Sequence, residues 1–283
     1  MVSPPRLYPT DLSDAEWMIL EPLIPAAKSG GRPPKWTRRQ ILDGIFYLVR
    51  SGCHWRLLPR EFPPWKTVYH YFRAWRIDGT WERLNTILRE RERSRQGRDP
   101  QPSGCIMDSQ SARTTSVGGI RGYDGGKKLS GRKRHLLVDT LGLVLTATVH
   151  AADIQDRAAV PQVLQGVKDV FGRLAHIWLD QGYTGAGKAW IEQELGWSVE
   201  IVKHAPRPRG MWVFPGQEVD PTIFQRPKGF RHLPRRWVVE RTFSWFGQAR
   251  RLSKDYERLP ETEEAMIYIT MSRLMLRRLA RAA

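Results

Sequence analysis

The sequence predicts an α/β fold with a mixed sheet and flanking helices, preceded by an N-terminal helical module. Three observations predict it. Residues 1–95 carry apolar side chains at helical spacing, residues 93–104 are polar and rich in glycine and proline, and strand-like apolar runs then alternate with helical segments. Such alternation is typical of a sheet covered by helices. We therefore expect a helical domain over 1–95, a linker over 96–104 and an α/β domain over 105–283.

The N-terminal module is predicted to contain four helices. Asp11 or Ser13 can cap the first helix, and Thr37 can cap the second. The helices are expected over Asp14–Leu23, from Thr37 onward, after the proline pair at 63–64, and over Thr80–Arg93.

The third of these helices carries the basic residues Lys66, Arg73 and Arg76 beside its apolar stripe. Short basic helices joined by tight turns favour a helix-turn-helix type of DNA-binding module. The alternative is an ordinary helical bundle with a solvated basic side.

The second half of the chain is predicted to form the sheet and its covering helices. Short apolar runs bounded by turn residues predict strands, and longer amphipathic segments predict helices. Strands are expected at 105–108, 135–142, 143–150, 176–180 and 197–204, and helices at 156–171, 184–195, 235–251 and from Glu261 to the end, with a basic, proline-rich segment at 205–234.

The chain is strongly basic. Forty-six lysine and arginine residues oppose 29 acidic residues, which gives a formal net charge of +17. Basic proteins are attracted to polyanions because each neutralised phosphate releases counterions. Nucleic acid is the first candidate partner and an anionic membrane surface is the second. Because the basic residues run through the whole chain, a folded protein with a basic face is favoured over a tail that tethers the chain to lipid.

Several classes of protein are disfavoured. Cys53 and Cys105 form no Cys-x-x-Cys pair, which argues against a cysteine-based zinc site and against a disulfide-stabilised protein. The N-terminus lacks the basic start and apolar run of a secretory signal. No stretch of about 18 apolar residues is present for a membrane span. We therefore expect a cytoplasmic protein with no membrane partner.

Three acidic residues occupy positions suited to catalysis. Asp108 and Asp180 each end an apolar strand, and the carboxyl ends of strands are where α/β proteins build sites. Glu240 lies in a helix crowded with arginine. Taken singly, each has an ordinary interpretation, because an aspartate after a strand often caps a turn and a helical glutamate beside arginine often forms a surface ion pair.

Taken together, the three acids suit metal-assisted phosphoryl transfer. Magnesium prefers oxygen ligands and is often held by few carboxylates plus substrate phosphates. Two such ions, about 3.5–4 Å apart, stabilise the attacking and leaving oxygens of an in-line displacement. Asp139, Asp153 and Asp156 are competing candidates, although turn formation and helix capping explain them locally. His150 follows a strand and is a further candidate with a structural alternative.

Long motifs in a fixed order run along nearly the whole chain. They are LSDAEWMILEPLIP (12–25), the run from Ser51 to Leu84, DSQS (108–111), GYDGGKKLSGRKRHLLVDTLGL (122–143), ADIQDR (152–157), LDQGYTG (179–185), RRWVVERTFSWFG (235–247) and RLSKDYERLPETEEA (251–265). Together they closely resemble the DDE transposases of the insertion sequence five group, which are encoded by bacterial insertion sequences.

The resemblance implies a ribonuclease-H-like domain, Mg²⁺ or Mn²⁺ as cofactor, and binding to terminal inverted repeats. It maps the acids of the DSQS, DQGY and WVVER runs onto Asp108, Asp180 and Glu240. The predicted order of strand, hairpin, helix, strand, helix, strand and helix agrees with that fold.

The sequence departs from related transposases around Glu240. The Tyr-x2-Arg-x3-Glu-x6-Lys pattern often found there is matched by Arg236, but Leu233 and Gly247 stand at the tyrosine and lysine positions. On a continuous helix Arg251 returns close to the azimuth of Glu240, so Arg236 and Arg251 are candidates for holding DNA phosphates. The alternative for Arg236 is an ion pair with Glu240.

A basic loop with glycines at 126–135 is suited to gripping phosphates, and its alternative is a solvated approach to a hairpin. Its candidate DNA-binding residues are Lys127, Lys128, Arg132, Lys133 and Arg134.

The resemblance implies that double-stranded DNA, both inverted repeats and target, is the partner of a homodimer or larger assembly near the bacterial nucleoid. It also implies end cleavage followed by attack of the freed 3′-hydroxyl on target DNA. Two other hypotheses remain open at this point. One is a nuclease of the same fold that never joins ends, and the other is a non-catalytic regulator that binds DNA.

Overall fold

The computed structural model describes residues 7–26, 34–202 and 234–282. Most of the predicted 205–234 segment therefore lies outside the described residues. Nine α-helices and six strands are found in the described parts of the chain. The helices are α1 Asp14–Leu20, α2 Arg38–Ser51, α3 Trp65–Ile77, α4 Thr80–Arg95, α5 Asp156–Leu164, α6 Val167–Val170, α7 Ala186–Trp190, α8 Pro234–Phe246 and α9 Pro260–Ala282. The strands are β1 Gly104–Arg113, β2 Gly122–Asp124, β3 Leu129–Asp139, β4 Val144–Ala151, β5 His176–Leu179 and β6 Ser198–Ile201.

The strands form one mixed sheet. Its order is β2-β3-β1-β5-β6, and β4 also pairs with β3. The pairs β1–β3, β2–β3 and β3–β4 are antiparallel, whereas β1–β5 and β5–β6 are parallel. The parallel pairs are connected through helices, as parallel strands require. This arrangement confirms the predicted ribonuclease-H-like mixed sheet with flanking helices.

Local sequence signals fix several element ends. Ser13 and Glu16 form a reciprocal capping box at the start of α1, and Thr37 and Gln40 form another at α2. The predicted helix at 156–171 is divided in two at Gly166, whose φ of +73° is left-handed. The predicted 105–108 strand extends to Arg113 because the polar run after Asp108 pairs with β3.

The sheet separates two hydrophobic cores. One core packs α5, α6 and α7 against the face of Met107 and Leu137. The other packs the N-terminal helices, α8 and α9 against the face of Ile106, Leu136 and Val138. Successive residues of a strand alternate between these faces, so neighbouring positions have different environments.

The N-terminal helices share a core with the sheet. Helix α9 packs along α4 and β4 and also contacts α1 and α2. Asn85 donates a hydrogen bond of 2.9 Å from Nδ2 to the Val144 carbonyl, and Arg93 Nη1 lies 2.5 Å from Asp139 Oδ2. These contacts attach α4 to the β3–β4 hairpin. The division of the chain into two domains at 96–104 stays a prediction. Among the described helices, none is both long and apolar enough to cross a bilayer.

Candidate active site

Two aspartates lie side by side just beyond the last parallel pair of two adjacent strands, Asp108 in the middle of β1 and Asp180 directly after β5. Strands β1 and β5 pair with Ile106 opposite Trp178, and the residues two positions farther along are Asp108 and Asp180. Because side chains alternate along a strand, Asp108 faces the same side of the sheet as Ile106, where α8 packs. A pocket at this point is lined by Asp108, Asp180 and Arg236 of α8. The two aspartates therefore share one pocket.

Asp108 is half-buried in a setting that disfavours its charge. Burial raises the pKa of Asp108 to about 7, and the negative charge of Asp180 adds to the increase. The 2.7 Å hydrogen bond donated by the Ser109 amide to Asp108 Oδ1 opposes it, as do the positive charges of Arg236 and Lys127. Burial therefore outweighs the hydrogen bond and the nearby cations, and the charged form of Asp108 is disfavoured.

Asp180 is held by the turn that follows β5. Its side chain caps a short 3₁₀ turn over Gln181–Tyr183 and accepts a hydrogen bond of 2.8 Å from the Gly182 amide to Oδ1. A Cβ at Gly182 would approach that oxygen to 3.0 Å. The Gly turn thus fixes the carboxylate while leaving its other oxygen toward α8.

Arg236 connects the remaining acid to this pair. Its Nε lies 2.9 Å from Glu240 Oε1, one helical turn along α8, and its Nη1 lies 4.0 Å from Asp180 Oδ2. The ion pair considered as the alternative role for Arg236 is present. Glu240 stays 40% exposed at its side chain and is turned toward the guanidinium.

The residues fit a divalent ion at the aspartate pair. One or two carboxylates plus substrate oxygens suffice for Mg²⁺, and Asp108 and Asp180 supply two. Among the described residues, no group of three or more histidine, cysteine or acidic side chains is close enough to hold a metal. In this structure Glu240 binds the Arg236 guanidinium, so Glu240 would join a metal only after that ion pair opens.

A polar network supports Asp108 from the opposite face of the sheet. Ser109 Oγ donates a hydrogen bond of 2.9 Å to Asp156 Oδ1, and Lys133 Nζ lies 3.1 Å from the same oxygen. Burial alone would raise the pKa of Asp156, but hydrogen bonding from His135, the charge of Lys133 and the Ser109 bond hold it well below its ordinary value. Asp156 therefore supports the strand behind Asp108, and the ADIQDR motif was the sequence signal for it.

The other acidic and histidine candidates have structural roles or lie outside the cluster. Asp139 is buried, binds Arg93 and accepts hydrogen bonds from the Leu141 and Leu143 amides. His150 Nε2 lies 2.8 Å from His135 Nδ1, and burial lowers the pKa of both imidazoles. Asp153 is exposed at the surface.

Four predicted DNA-binding residues are buried in contacts within the chain, which corrects their prediction. Arg132 is paired with Asp255 at 2.9 Å and Arg134 is paired with Glu263, while Lys133 points to Asp156 on the other face. The run belongs to strand β3 rather than to a loop, so its cations alternate between the two cores.

Arg251 is the fourth correction. The predicted 235–251 helix ends at Phe246, and Arg251 lies in a 3₁₀ turn after it. Its Nη2 lies 2.6 Å from Glu257 Oε1, and its Nη1 donates to the Cys53 carbonyl at 3.2 Å. Arg251 therefore does not lie beside Glu240.

The remaining basic candidates are accessible. Asp124 caps the tight turn between β2 and β3 by accepting hydrogen bonds of 3.0 Å from the Gly126 and Lys127 amides, so Lys127 and Lys128 project at its tip. On α3, Lys66 and Arg73 are exposed and Arg76 is half-buried.

The predicted helical N-terminal module is confirmed. The two-residue connection Asp78–Gly79 joins α3 to α4, and α4 buries much of its surface against α9 and β4. Both helices present basic side chains to solvent: Lys66 and Arg73 on α3, and Arg83, Arg91 and Arg95 on α4.

Comparisons with known proteins match both halves of the chain. Residues 99–275 match the family model described as "Transposase DDE domain", and residues 12–85 match "Putative transposase of IS4/5 family". The insertion element IS402 uncharacterized 16.2 kDa protein of Burkholderia cepacia is 32% identical over 114 residues, which are 38% of this chain and 76% of that protein. The uncharacterized protein y4sN of Sinorhizobium fredii is 27% identical over 77 residues, which are 27% of this chain and 62% of that protein. No solved structure matches the chain.

The DDE match spans more than half of the 283 residues and includes Asp108, Asp180 and Glu240. The N-terminal residues also match, and the mixed sheet places Asp108 and Asp180 beside helix α8, which carries Glu240. The chain therefore belongs to the DDE transposase family of IS4/5 type.

Proposed function

We propose that this transposase binds the terminal inverted repeats of an insertion sequence, cleaves DNA at the ends and joins the freed 3′-hydroxyls to target DNA. One observation carries the proposal: Asp108 and Asp180 line one pocket beneath α8, each two residues beyond the last parallel pair of β1 and β5. The net charge of +17 supports a polyanionic substrate.

Asp108, Asp180 and Glu240 are the residues that would hold divalent metal ions, two Mg²⁺ or Mn²⁺ in our proposal. DDE transposases use divalent metals. When bound, such ions activate the attacking oxygen and neutralise charge on the phosphoryl group. The chain itself contributes a pair of neighbouring carboxylates, and burial together with the charge of Asp180 raises the pKa of Asp108 to about 7. Such a pair attracts cations.

Arg236 has a defined role in this proposal. It lies between the aspartate pair and Glu240, at 4.0 Å from Asp180 and 2.9 Å from Glu240. A guanidinium binds phosphate with bidentate geometry, so DNA can compete for it and release Glu240 toward the pair. Arg236 would then orient the scissile phosphate.

The exposed cations would place the rest of the DNA. Lys127 and Lys128 project from the turn beside Asp108, and Lys66, Arg73 and Arg76 lie on α3. Since two DNA ends must be joined, we propose a homodimer or larger assembly on the DNA.

The test is cleavage of a labelled duplex that carries an inverted repeat, with Mg²⁺ and the full-length chain. Asp108→Asn, Asp180→Asn and Glu240→Gln are each expected to bind the duplex and to cut it at least ~100-fold more slowly, since several kcal/mol of transition-state stabilisation are lost. Asp169→Asn, an exposed acid on α6, is the matched control and should cut normally.

The other outcomes are informative. If the wild type binds the duplex without cutting it, the chain is a DNA-binding regulator. If the wild type cuts but yields no strand-transfer product with target DNA, it is a nuclease. Normal cutting by one of the three variants would remove that residue from the site.

A further inference from the structure

A second basic feature lies away from the three acids. A pocket of about 220 Å³ opens between α2, the C-terminal end of α8 and α9. Five arginines and no acidic residue line it, and we call it the arginine pocket. The five are Arg50, Arg273, Arg277, Arg278 and Arg281. Its floor includes Phe46 and Trp245.

Few carboxylates compensate these five charges among the described residues. Arg273 pairs with Glu16 at 2.9 Å, and Arg278 lies 3.8 Å from Glu92. Glu92 is shared, since it also binds Arg95 at 2.7 Å.

In the described parts of the chain, no carboxylate lies within 4 Å of the other three arginines, which contact neutral groups or solvent. Arg50 donates to the Gln248 carbonyl, Arg277 donates to the Pro9 carbonyl at 3.3 Å, and Arg281 is exposed. Burial lowers the pKa of Arg277, and the positive charges of Arg273 and Arg50 lower it further, while the charge of Glu16 opposes them. The pocket therefore carries a positive charge that the fold does not use.

The arginines of α9 form a stripe. Arg273, Arg277 and Arg281 follow one another at four-residue intervals, so they span about 12 Å along one side of the helix. Like charges at this spacing destabilise a helix. The span equals the rise of three to four base pairs of duplex DNA, at about 3.4 Å per pair.

The arginine pocket is on the other flank of α8 from the catalytic acid. Trp245 lies five residues after Glu240, which places it about 140° around the helix. Arg278 stacks on the Trp245 ring at 4.8 Å. DNA held here is therefore a different segment from the DNA at the aspartate pair.

We propose that the arginine pocket binds the sugar–phosphate backbone of duplex DNA away from the scissile bond. Guanidinium groups recognise phosphates through planar, bidentate hydrogen bonds. A lipid surface fits less well, because the apolar residues of α9, such as Met266, Ile269 and Met275, are buried in the protein core. The identity of the ligand rests on the proposed function, whereas the location of the site does not.

The test measures duplex affinity against salt concentration, by fluorescence anisotropy in EDTA. For the Arg277→Ala/Arg281→Ala double variant, the slope of log affinity against log salt should fall in magnitude by about 1.8, at about 0.9 per lost phosphate contact. The matched control is Lys168→Ala/Arg173→Ala, which removes the same charge from exposed positions on and after α6. Its slope should stay that of the wild type.

Further variants keep the test decisive. Arg277→Lys/Arg281→Lys should recover most of the slope, since it retains the charge. Arg281→Ala alone removes an exposed side chain, so the fold should survive and the slope should fall by about 0.9. Equal slopes for the wild type, the double variant and the control would overturn the proposal.

Two further probes separate ligand sources. ATP and vesicles of anionic lipid should bind the wild type and the double variant equally. A loss of vesicle or ATP binding in the double variant, with duplex binding unchanged, would overturn the DNA assignment. If the wild type binds no duplex at all, both the proposed function and the arginine pocket proposal fail. If the wild type binds and cuts the duplex while the double variant keeps the wild-type slope, only the arginine pocket proposal fails.

Discussion

Two clusters of acids and arginines lie on the same face of the sheet and are built in opposite ways. We call the first the aspartate site, formed by Asp108, Asp180, Glu240 and Arg236. The second, the ion-pair network, joins β3 to the segment before and within α9. Its pairs are Arg132–Asp255, Arg134–Glu263 and Arg251–Glu257.

The clusters are close but differ in charge balance. Arg134 of β3 pairs across the sheet with Gln110 of β1. Gln110 is two residues along β1 from Asp108, a separation of about 7 Å. In the ion-pair network three arginines meet three acids, and both side chains of the Arg132–Asp255 pair are 0% exposed. In the aspartate site three acids share Arg236, which is 4.0 Å from Asp180.

The difference shows which charges serve the fold and which serve the reaction. The network is compensated internally, so it positions the C-terminal segment against β3. The aspartate site holds three acids and one arginine, and burial, with a contribution from the charge of Asp180, raises the pKa of Asp108 to about 7. Imbalance of this kind is typical of functional sites, because such sites are completed by a ligand.

The largest effect is expected when the network loses one partner. Arg132→Met should lower the free energy of unfolding by about 3–5 kcal/mol, because it leaves the Asp255 carboxylate buried without its cation. Arg132 also donates to the carbonyls of Ile120, Glu257 and Arg258, which lose their donor. Urea denaturation measures the change.

Lys127→Met is the control for this comparison, since Lys127 is exposed in the same basic run. It should change the stability by no more than about 0.5 kcal/mol. A loss below about 1 kcal/mol for Arg132→Met would show that the network does not hold the C-terminal segment.

A smaller effect is expected from the exposed lysines at the β2–β3 turn. Lys127→Ala/Lys128→Ala should leave stability unchanged. The slope of log DNA affinity against log salt concentration should fall in magnitude by up to about 1.8. The same charge removed from α6 and the segment after it, in Lys168→Ala/Arg173→Ala, should leave the slope unchanged. If the lysine variant keeps the slope of the wild type, Lys127 and Lys128 do not contact the DNA phosphates.

Sequence patterns predicted the elements better than they predicted the fate of the cations. Ser13 and Thr37 signalled helix starts because capping is local. Asp108 and Asp180 were singled out because each follows an apolar strand, and the carboxyl ends of strands are where α/β proteins build sites. By contrast, Arg132 and Arg134 are buried by partners more than 110 residues later in the chain, which no local pattern reveals.

Arg251 shows a second limit. Apolar periodicity extended the α8 prediction five residues beyond Phe246. Gly247 was the stop signal, since glycine often follows the end of a helix. A helix continued past such a glycine places every later side chain at the wrong azimuth.

The most direct test compares Asp108→Asn with Asp255→Asn by urea denaturation at pH 8 in EDTA. The folded-state pKa of Asp108 is raised from 3.8 to about 7, so its contribution to stability is complete below pH 3.8 and is lost as the pH rises through 7. Asparagine stays neutral and should make the protein more stable than the wild type at pH 8, by ~2–4 kcal/mol, with a smaller gain at pH 5. Asp255→Asn should make it less stable, by about 3–5 kcal/mol, because Arg132 is left unpaired. Opposite signs would support the division between the aspartate site and the ion-pair network, and a loss of stability in both variants would contradict it.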